Sequence, residues 1–385
     1  FQSFPVVVLE LSKEFSLSRF LATLPIPLFM IMSSLFMPFI GRFLDKGAIR
    51  SILMTGALVY GLSLISLYFA FSYFSFMLIF TLPMALGVTM MGNISVSKLI
   101  SLWFRKYTGR ALGIASVGVS FAGFVFPNLT SFLLGDLGLT WREAYLLFGV
   151  LIILINIPVV YLFIVNKPSD INQMPDGEEI TDNAEDTSGI DWTIPELLKD
   201  KNFWILSLVF AIQFCSMMGI LSHLTFFSEG AGWSLSWGAF IFSMYAWPAM
   251  FSKVFFGWLV ENKMDARVAV SVAILIQAIA TLLMIFVESP EQMVVLVMIF
   301  GFGGGSALPL SNILFNQAYT NKSFGKARGA AQPFISIFQI SGTLVAARMF
   351  DVFGNYELAF LTLGFILIVP IIAIWFMKIE SKLAP

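Results

Sequence analysis

Long apolar runs separated by short polar connections fill most of this chain. Each run is about 20 residues long and almost free of charge, and about 20 apolar residues at 1.5 Å rise span the ~30 Å hydrocarbon core of a bilayer. The pattern therefore predicts an all-α polytopic membrane protein. The predicted spans cover residues 18–40, 51–72, 74–103, 110–134, 143–165, 203–227, 235–260, 268–287, 292–318, 327–349 and 356–378.

Two segments differ from these runs. Residues 1–9 read FQSFPVVVL, which we interpret as the second half of a helix in an N-terminally truncated chain. Residues 166–202 carry ten acids and three lysines, so we expect this segment to be unburied and mostly flexible. Within it, residues 192–198 predict a short interfacial helix with Pro195 in its first turn.

The acidic segment divides the runs into two groups. We predict an N-terminal transmembrane half at 1–165, a cytoplasmic linker at 166–202 and a C-terminal half at 203–385, with twelve helices in all and the first only partly present. Two six-helix halves predict matching loops. Residues 41–50 (GRFLDKGAIR) and 257–267 (GWLVENKMDAR) both place a glycine at a helix end, an acid four residues later and bases beyond it.

The distribution of basic residues predicts the orientation. If residues 41–50 are cytoplasmic, the same side of the membrane holds 16 of the 22 lysines and arginines. An excess of Lys and Arg marks cytoplasmic loops, so we expect the acidic linker and the C-terminus inside the cell. The net charge of −1 indicates no class of partner.

Composition excludes several classes of function. With 58% hydrophobic and 12% charged residues and a mean hydropathy of +0.88, the chain does not suit a soluble enzyme or a nucleic-acid-binding protein. The one cysteine, Cys215, cannot form an intrachain disulfide, and His223 is the only histidine, so we expect no metal and no cofactor. The sequence also lacks a phosphate-binding loop of the kind found in ATP-driven pumps.

Three stretches resemble the major facilitator superfamily. Residues 41–50 are similar to its loop signature, with one residue fewer after Asp45. Residues 103–118 (WFRKYTGRALGIASVG) resemble a signature of the monocarboxylate transporters and the bacterial oxalate/formate exchangers, and 324–329 (FGKARG) stand at the corresponding point of the second half. The resemblance implies two six-helix halves, alternating access and a bacterial inner membrane.

The loop residues are candidates for a conformational switch. Asp45 at a helix end could cap a neighbouring helix and pair with Arg110 or Lys106, which would hold the halves in one state. Solvated charges that set topology are the alternative, but the pattern recurs in both halves. The switch candidates are Gly41, Asp45, Arg50, Arg105, Lys106, Arg110, Gly257, Glu261 and Arg328.

Lys253 is the sharpest candidate for binding substrate. A charge at membrane depth is costly and marks a functional position by default. The resemblance implies that a base four residues before Gly257 contacts a substrate carboxylate; the acid that the monocarboxylate transporters carry four residues before that base is Ala249 here. The alternative for Lys253 is snorkelling to the interface. For Lys98 we expect snorkelling rather than a place on the substrate path.

Several polar residues in the spans complete the candidate site. His223 could gate, bind substrate or carry a proton near neutral pH, and an interfacial histidine is the alternative. The amides could line a cavity or bridge helices. The polar substrate-binding candidates are His223, Gln213, Asn312 and Gln339, and Gln332 has the same pattern.

The predicted function follows from the presence of Lys253 in a predicted span that contains no acidic side chain to pair with it. The interiors of the predicted spans contain no Asp or Glu, because Glu143 and Glu357 lie at helix ends. The lack of an interior acid favours an anionic substrate and leaves anion exchange as open as proton symport. We predict a transporter of a small mono- or dicarboxylate that acts as a monomer in the lipid bilayer and is not an enzyme. The alternatives are an exporter of neutral or lipophilic compounds and a non-transporting membrane sensor on the same fold.

Overall fold

The computed structural model describes residues 2–17, 21–22, 24–177, 191–233, 235–262 and 264–377, and these residues form an all-helical protein. The helices are α1 Phe4–Glu14, α2 Pro25–Asp45, α3 Ile49–Leu67, α4 Tyr73–Thr81, α5 Pro83–Met91, α6 Asn93–Trp103, α7 Thr108–Gly135, α8 Trp141–Phe163, α9 Ile194–Lys199, α10 Lys201–Leu221, α11 Leu224–Gly230, α12 Leu235–Met244, α13 Ala246–Glu261, α14 Ala266–Leu283, α15 Pro290–Gly305, α16 Ala307–Phe353, α17 Glu357–Phe365 and α18 Ile368–Ala373.

The chain packs as two compact units, and each unit takes a segment from the other half of the sequence. Unit 1 comprises Phe1–Arg105, Gly118–Gly189 and Asn321–Pro333, and unit 2 comprises Lys106–Val117, Ile190–Thr320 and Phe334–Pro385. The first turns of α7 therefore belong to unit 2, and part of α16 belongs to unit 1. Both exchanged segments carry the glycine–base motifs singled out in the sequence.

Each unit has its own apolar core. In unit 1 the core is rich in aromatic rings: Phe76 stacks on Phe80 with centroids 5.4 Å apart and meets Trp141 edge-on at 5.6 Å. In unit 2 the core combines methionines with aromatic rings, including Met217 and Phe300. Because lipid is as apolar as these side chains, close packing rather than exclusion of water favours such contacts between membrane helices.

Large apolar side chains also lie on the outside. Ile114, Leu154 and Phe251 are 63%, 64% and 68% exposed. A water-soluble protein rarely exposes so many, whereas a bilayer solvates them. Among the described residues, ten helical segments are long and apolar enough to cross a membrane.

These ten segments match the predicted spans with one exception. The predicted span 235–260 is not among the ten, because α12 and α13 cover it as two helices separated at Tyr245, whose own backbone is helical. The predicted span 74–103 is also interrupted, at Leu82 before Pro83 and at Gly92, yet its pieces α4, α5 and α6 remain one candidate span. Proline and glycine interrupt helices because they lack an N–H donor or a constraining side chain.

The predicted placement of two glycines at helix ends is wrong by about one helical turn. The sequence places Gly41 and Gly257 at helix ends, but α2 continues to Asp45 and α13 continues to Glu261. Each acid is thus the last helical residue, and each glycine lies inside the last turns. The helices extend this far because both carboxylates find partners within the protein.

The described parts of the linker are more ordered than predicted. The short helix forms as α9, and Glu196 and the Thr193 side chain form a capping box at its start. Pro168 is buried, and Asp176 accepts a hydrogen bond from the backbone N–H of Arg105 at 2.7 Å. The predicted flexibility of residues 178–190 concerns a stretch outside the described residues.

Candidate functional site

Lys253 belongs to a row of residues on α13 that faces the first turns of α7 in unit 2. Lys253, Gly257 and Glu261 are four residues apart and so share one helix face. A Cβ added to Gly257 would lie 2.3 Å from the carbonyl oxygen of Gly109, and a Cβ on Gly113 would lie 2.5 Å from that of Lys253. Only glycine allows two helix backbones to approach so closely.

Glu261 ends this row and bonds to the start of α7. Its Oε1 accepts a hydrogen bond from the backbone N–H of Arg110 at 2.5 Å, and its Oε2 pairs with Nε of the same arginine. The Glu261 side chain is 7% exposed, so the carboxylate is largely buried. Within unit 2, Glu261 is thus the ionic partner of Arg110, and the pairing of Arg110 with Asp45 stays a prediction.

The Lys253 side chain points into protein rather than toward a surface. It is 6% exposed, and its Nζ donates to the carbonyl oxygen of Ser116 on α7 at 3.1 Å. The Ser116 hydroxyl in turn donates to the carbonyl oxygen of Leu112 at 2.7 Å. A buried ammonium thus lies between α7 and α13, one turn from the close contact at Gly257.

Unit 1 contains a matching row on α2. Met37, Gly41 and Asp45 are four residues apart and face Gly325 and Gly329 of α16. A Cβ added to Gly41 would lie 2.0 Å from the carbonyl oxygen of Gly325, and one added to Gly329 would lie 2.6 Å from that of Met37. The two rows have the same spacing of glycine and acid. Met37 in unit 1 occupies the position that corresponds to Lys253 in unit 2.

Asp45 bonds to the backbone of α16. It accepts hydrogen bonds from the backbone N–H groups of Gly325 at 3.0 Å and Lys326 at 2.8 Å, and the candidate span Lys322–Phe353 begins at this point. The two N–H donors stabilise the buried carboxylate through charge-assisted hydrogen bonds.

Lys98 is the ionic partner of Asp45. Its Nζ lies 2.9 Å from Asp45 Oδ1, and the two side chains are 4% and 3% exposed. The expectation that Lys98 snorkels to the interface is wrong, because a buried carboxylate on α2 holds its ammonium inside unit 1.

Arg50 and Arg105 contact the linker side of unit 1. The backbone N–H of Arg50 donates to Asn166 Oδ1 at 2.8 Å, and its guanidinium bonds to the Tyr161 carbonyl and lies 4.7 Å from the centre of that ring. The backbone N–H of Arg105 donates to Asp176. Both switch candidates thus join helix ends to the first part of the linker.

The other two basic switch candidates have different surroundings. Lys106 is exposed, and its Nζ lies 5.5 Å from the centre of the Tyr107 ring in unit 2. Arg328 is 3% exposed, and its Nη1 donates to Gln332 Oε1 at 2.7 Å in unit 1.

His223 lies at the interruption between α10 and α11 and is 8% exposed. Its Nε2 lies 3.0 Å from the carbonyl oxygen of Thr343, and its Nδ1 lies 3.0 Å from the Tyr356 hydroxyl. A carbonyl only accepts, so Nε2 carries the proton and neutral Nδ1 accepts from Tyr356. Protein groups contact both ring nitrogens, which favours a structural bridge over direct contact with substrate.

The predicted amides occupy different positions in unit 2. Gln213 is buried, and its Nε2 donates to Oε1 of Gln277 on α14 at 3.4 Å. Asn312 is fully buried and Gln339 is half-buried. Sequence reasoning missed Gln277, although a lone glutamine within the apolar run 268–287 was a signal of the same kind as Gln213.

Comparison with known proteins identifies the family. The model described as Major Facilitator Superfamily matches residues 2–288 and 238–385. The chain belongs to the major facilitator superfamily. It is similar to an "MFS-type transporter" of Gibberella moniliformis, with 22% identity over 324 residues, covering 83% of this chain and 72% of that protein. It is also similar to "Monocarboxylate transporter 13" of Bos taurus, with 24% identity over 271 residues, covering 69% of this chain and 59% of that protein.

Solved structures show the same fold. The crystal structure of the fucose:proton symporter of E. coli superposes with a TM-score of 0.73 over 97% of this chain and 94% of the other, at 14% sequence identity. This major facilitator protein is therefore an all-helical, multi-pass integral membrane transporter. The candidate site comprises its two glycine–acid rows and its buried Lys253.

Proposed function

We propose that this protein is a secondary transporter of a small organic anion, a mono- or dicarboxylate, and works by alternating access. One observation carries the proposal: the Lys253 ammonium is buried and bonds to the carbonyl oxygen of Ser116. A charged group inside a membrane protein is costly and marks a functional position by default. Relatives that include a protein named as a monocarboxylate transporter support this choice of substrate.

The chemistry of the Lys253 contact favours an anion. A carbonyl oxygen carries only a partial negative charge, whereas a carboxylate carries a full one and forms a stronger, charge-assisted hydrogen bond to an ammonium. A substrate carboxylate that replaced the Ser116 carbonyl would stabilise the buried charge. It would also release one of the bonds that hold α13 to α7, so substrate binding and helix movement would be coupled.

The two glycine–acid rows are the proposed switch. Asp45 with Gly41, and Glu261 with Gly257, each hold a segment of a neighbouring helix close. Separating those helices would break charge-assisted hydrogen bonds that re-form in the other state, which is the behaviour of a two-state element. We propose the halves at 1–165 and 203–385, joined by the linker at 166–202, as the elements that move. Proton symport and anion exchange both fit this scheme.

We also propose an orientation and a location. The excess of Lys and Arg on one side supports a cytoplasmic linker and C-terminus. Compact loops support a bacterial inner membrane, and the protein would act as a monomer.

Uptake of radiolabelled carboxylates into proteoliposomes tests the proposal. We expect saturable uptake by the full-length protein and loss of at least about 90% of it in Lys253→Gln, because the variant keeps the polarity but not the charge. Lys253→Arg keeps the charge and should retain partial uptake. Lys13→Gln is the control, since Lys13 is exposed at the end of α1.

Other results of the uptake assay would favour one of the alternative functions. Uptake that survives Lys253→Gln would contradict the role of Lys253 and favour a carrier of neutral or lipophilic compounds. Binding of a partner protein without flux of any solute would favour a membrane sensor.

A further inference from the structure

Three uncharged polar side chains are buried on neighbouring helices of unit 2. Gln213 and Ser216 lie on α10 and Gln277 lies on α14, and their exposed fractions are 1%, 0% and 0%. Gln213 and Ser216 are three residues apart and therefore neighbours on one helix face. The function proposed above uses neither Ser216 nor Gln277.

The donors and acceptors of the two glutamines can be assigned from their contacts. Gln277 Nε2 lies 3.4 Å from the backbone carbonyl oxygen of Gln213, which can only accept, so this end of the Gln277 amide must be the NH₂ group. Its Oε1 then faces Gln213 Nε2, also at 3.4 Å. The remaining atom, Gln213 Oε1, is a buried acceptor with no donor among the described residues.

The Ser216 hydroxyl, three residues farther along α10, is also a buried polar group without a hydrogen-bond partner among the described residues. Ser207, on the same helix, donates to the carbonyl oxygen four residues earlier at 2.7 Å, and Ser222 at its end does so at 2.6 Å. Ser216 does not make this bond. An unsatisfied buried polar atom costs about 1–3 kcal/mol, so two on one helix face point to a ligand that satisfies both.

The neighbouring helix α15 leaves room beside the amide pair. A Cβ added to Gly303 would lie 2.6 Å from a carbonyl oxygen of α14, and one added to Gly305 would lie 2.6 Å from a side chain of α13. A Cβ on Gly304 would instead lie 3.4 Å from Gln277 Oε1 and 3.5 Å from Met217 Sδ, which are ordinary contacts. Of these three glycines, only Gly304 has space beside it for a group of methyl size.

We propose that Gln213 and Ser216 form a subsite for a hydroxyl group of the transported carboxylate, with Gln277 as the residue that positions Gln213. This inference rests on the proposed function and narrows its substrate to hydroxylated carboxylates. A hydroxyl donates to Gln213 Oε1 and accepts from Ser216 Oγ, so it satisfies both atoms. An ammonium group fits less well, because none of the three side chains supplies the negative charge that would offset its desolvation.

The subsite lies near the turn that carries Lys253. A Cβ on Gly305 would contact Ser252 Oγ at 2.7 Å, and Ser252 precedes Lys253. Gly304, which lies beside Gln277, immediately precedes Gly305 on α15. The Cα atoms of the two glycines are therefore about 3.8 Å apart. Adjacent residues of α15 thus border the amide pair and the turn of α13 that carries Lys253.

Competition between matched substrates tests the subsite. Pairs of carboxylates that differ by one hydroxyl, such as malate and succinate or 2-hydroxybutanoate and butanoate, compete for uptake into proteoliposomes. We expect the intact protein to favour the hydroxylated member at least about tenfold. Gln213→Leu should bring the ratio close to one, and Ser216→Ala should lower the ratio. Ser207→Ala, on the same helix, should leave it unchanged.

A binding measurement separates this inference from the proposed function. The ligands are the neutral primary amides of the same acids. The measured quantity is the rise in unfolding temperature that each amide causes in the purified intact protein and in Gln213→Leu. If no carboxylate is transported but a Gln213-dependent preference for hydroxylated amides remains, the subsite stands and the anion proposal fails. The subsite is overturned if the intact protein shows no preference for the hydroxylated compound in either assay. A preference that survives Gln213→Leu and Ser216→Ala overturns it as well.

Discussion

At the scale of single residues, burial decides what each charged side chain contacts. Asp45 and Lys98 are almost completely buried and satisfy one another, and two backbone N–H groups satisfy the carboxylate further. Lys13 and Glu10 form a pair of similar length, 2.8 Å, but their side chains are 73% and 48% exposed. The two pairs differ mainly in solvation, so they separate the effect of burial from that of distance.

Removing one member of the buried pair should therefore cost far more than removing one member of the exposed pair. We expect Lys98→Gln to lower the free energy of unfolding by roughly 3–5 kcal/mol, because it leaves the Asp45 charge buried without its ammonium. Lys13→Gln should change it by less than about 1 kcal/mol. Denaturant unfolding in mixed micelles measures both, and equal effects would contradict the assignment of Lys98 to a buried ion pair.

At the scale of elements, glycines set how closely the helices of each unit approach. The carbonyl oxygen of Gly109 occupies the space that a side chain at Gly257 would need, and the same holds for Gly325 at Gly41. Gly118, farther along α7, has no heavy atom within 4 Å of an added Cβ. Glycines of one motif thus differ in role: some permit helix contact and others merely lie in a helix.

Alanine substitution should distinguish these glycines. Gly257→Ala should force α13 away from α7, lower stability by about 1–3 kcal/mol and slow uptake at least about tenfold, because the contact in the proposed switch can no longer form. Gly118→Ala should be neutral or stabilising by up to about 1 kcal/mol, since alanine favours helix and meets no obstacle. Unfolding and uptake assays on both variants check this; a neutral Gly257→Ala would rule out the close contact as a requirement.

At the scale of the whole molecule, the apolar exterior and the ten candidate spans make this an integral membrane protein of the major facilitator superfamily. The side of the membrane on which each loop lies follows from charge counts and is a proposal. Asp136, between α7 and α8, and Asp170, in the linker, are both exposed and lie at opposite ends of α8 in sequence. They therefore suit a test of orientation.

We expect single cysteines at these two positions to react from opposite sides. In a Cys215→Ser background, an impermeant maleimide added to intact cells should label Asp136→Cys, whereas Asp170→Cys should react only after permeabilisation. Labelling gel shifts measure both. Reaction of Asp170→Cys in intact cells would reverse the proposed orientation.

The sequence by itself determined the fold class, most span positions and the repeated glycine–acid rows. These features depend on local quantities, namely the run length that a bilayer requires and the spacing of residues on a helix. Only the tertiary structure decided the partners of the charges and amides, because those partners are distant in sequence. Lys98 lies 53 residues from Asp45, Lys326 lies 281 residues from it, and Gln277 lies 64 residues from Gln213. The contacts between buried polar groups depend on how the helices pack. The sequence of one helix does not specify which other helix will pack against it.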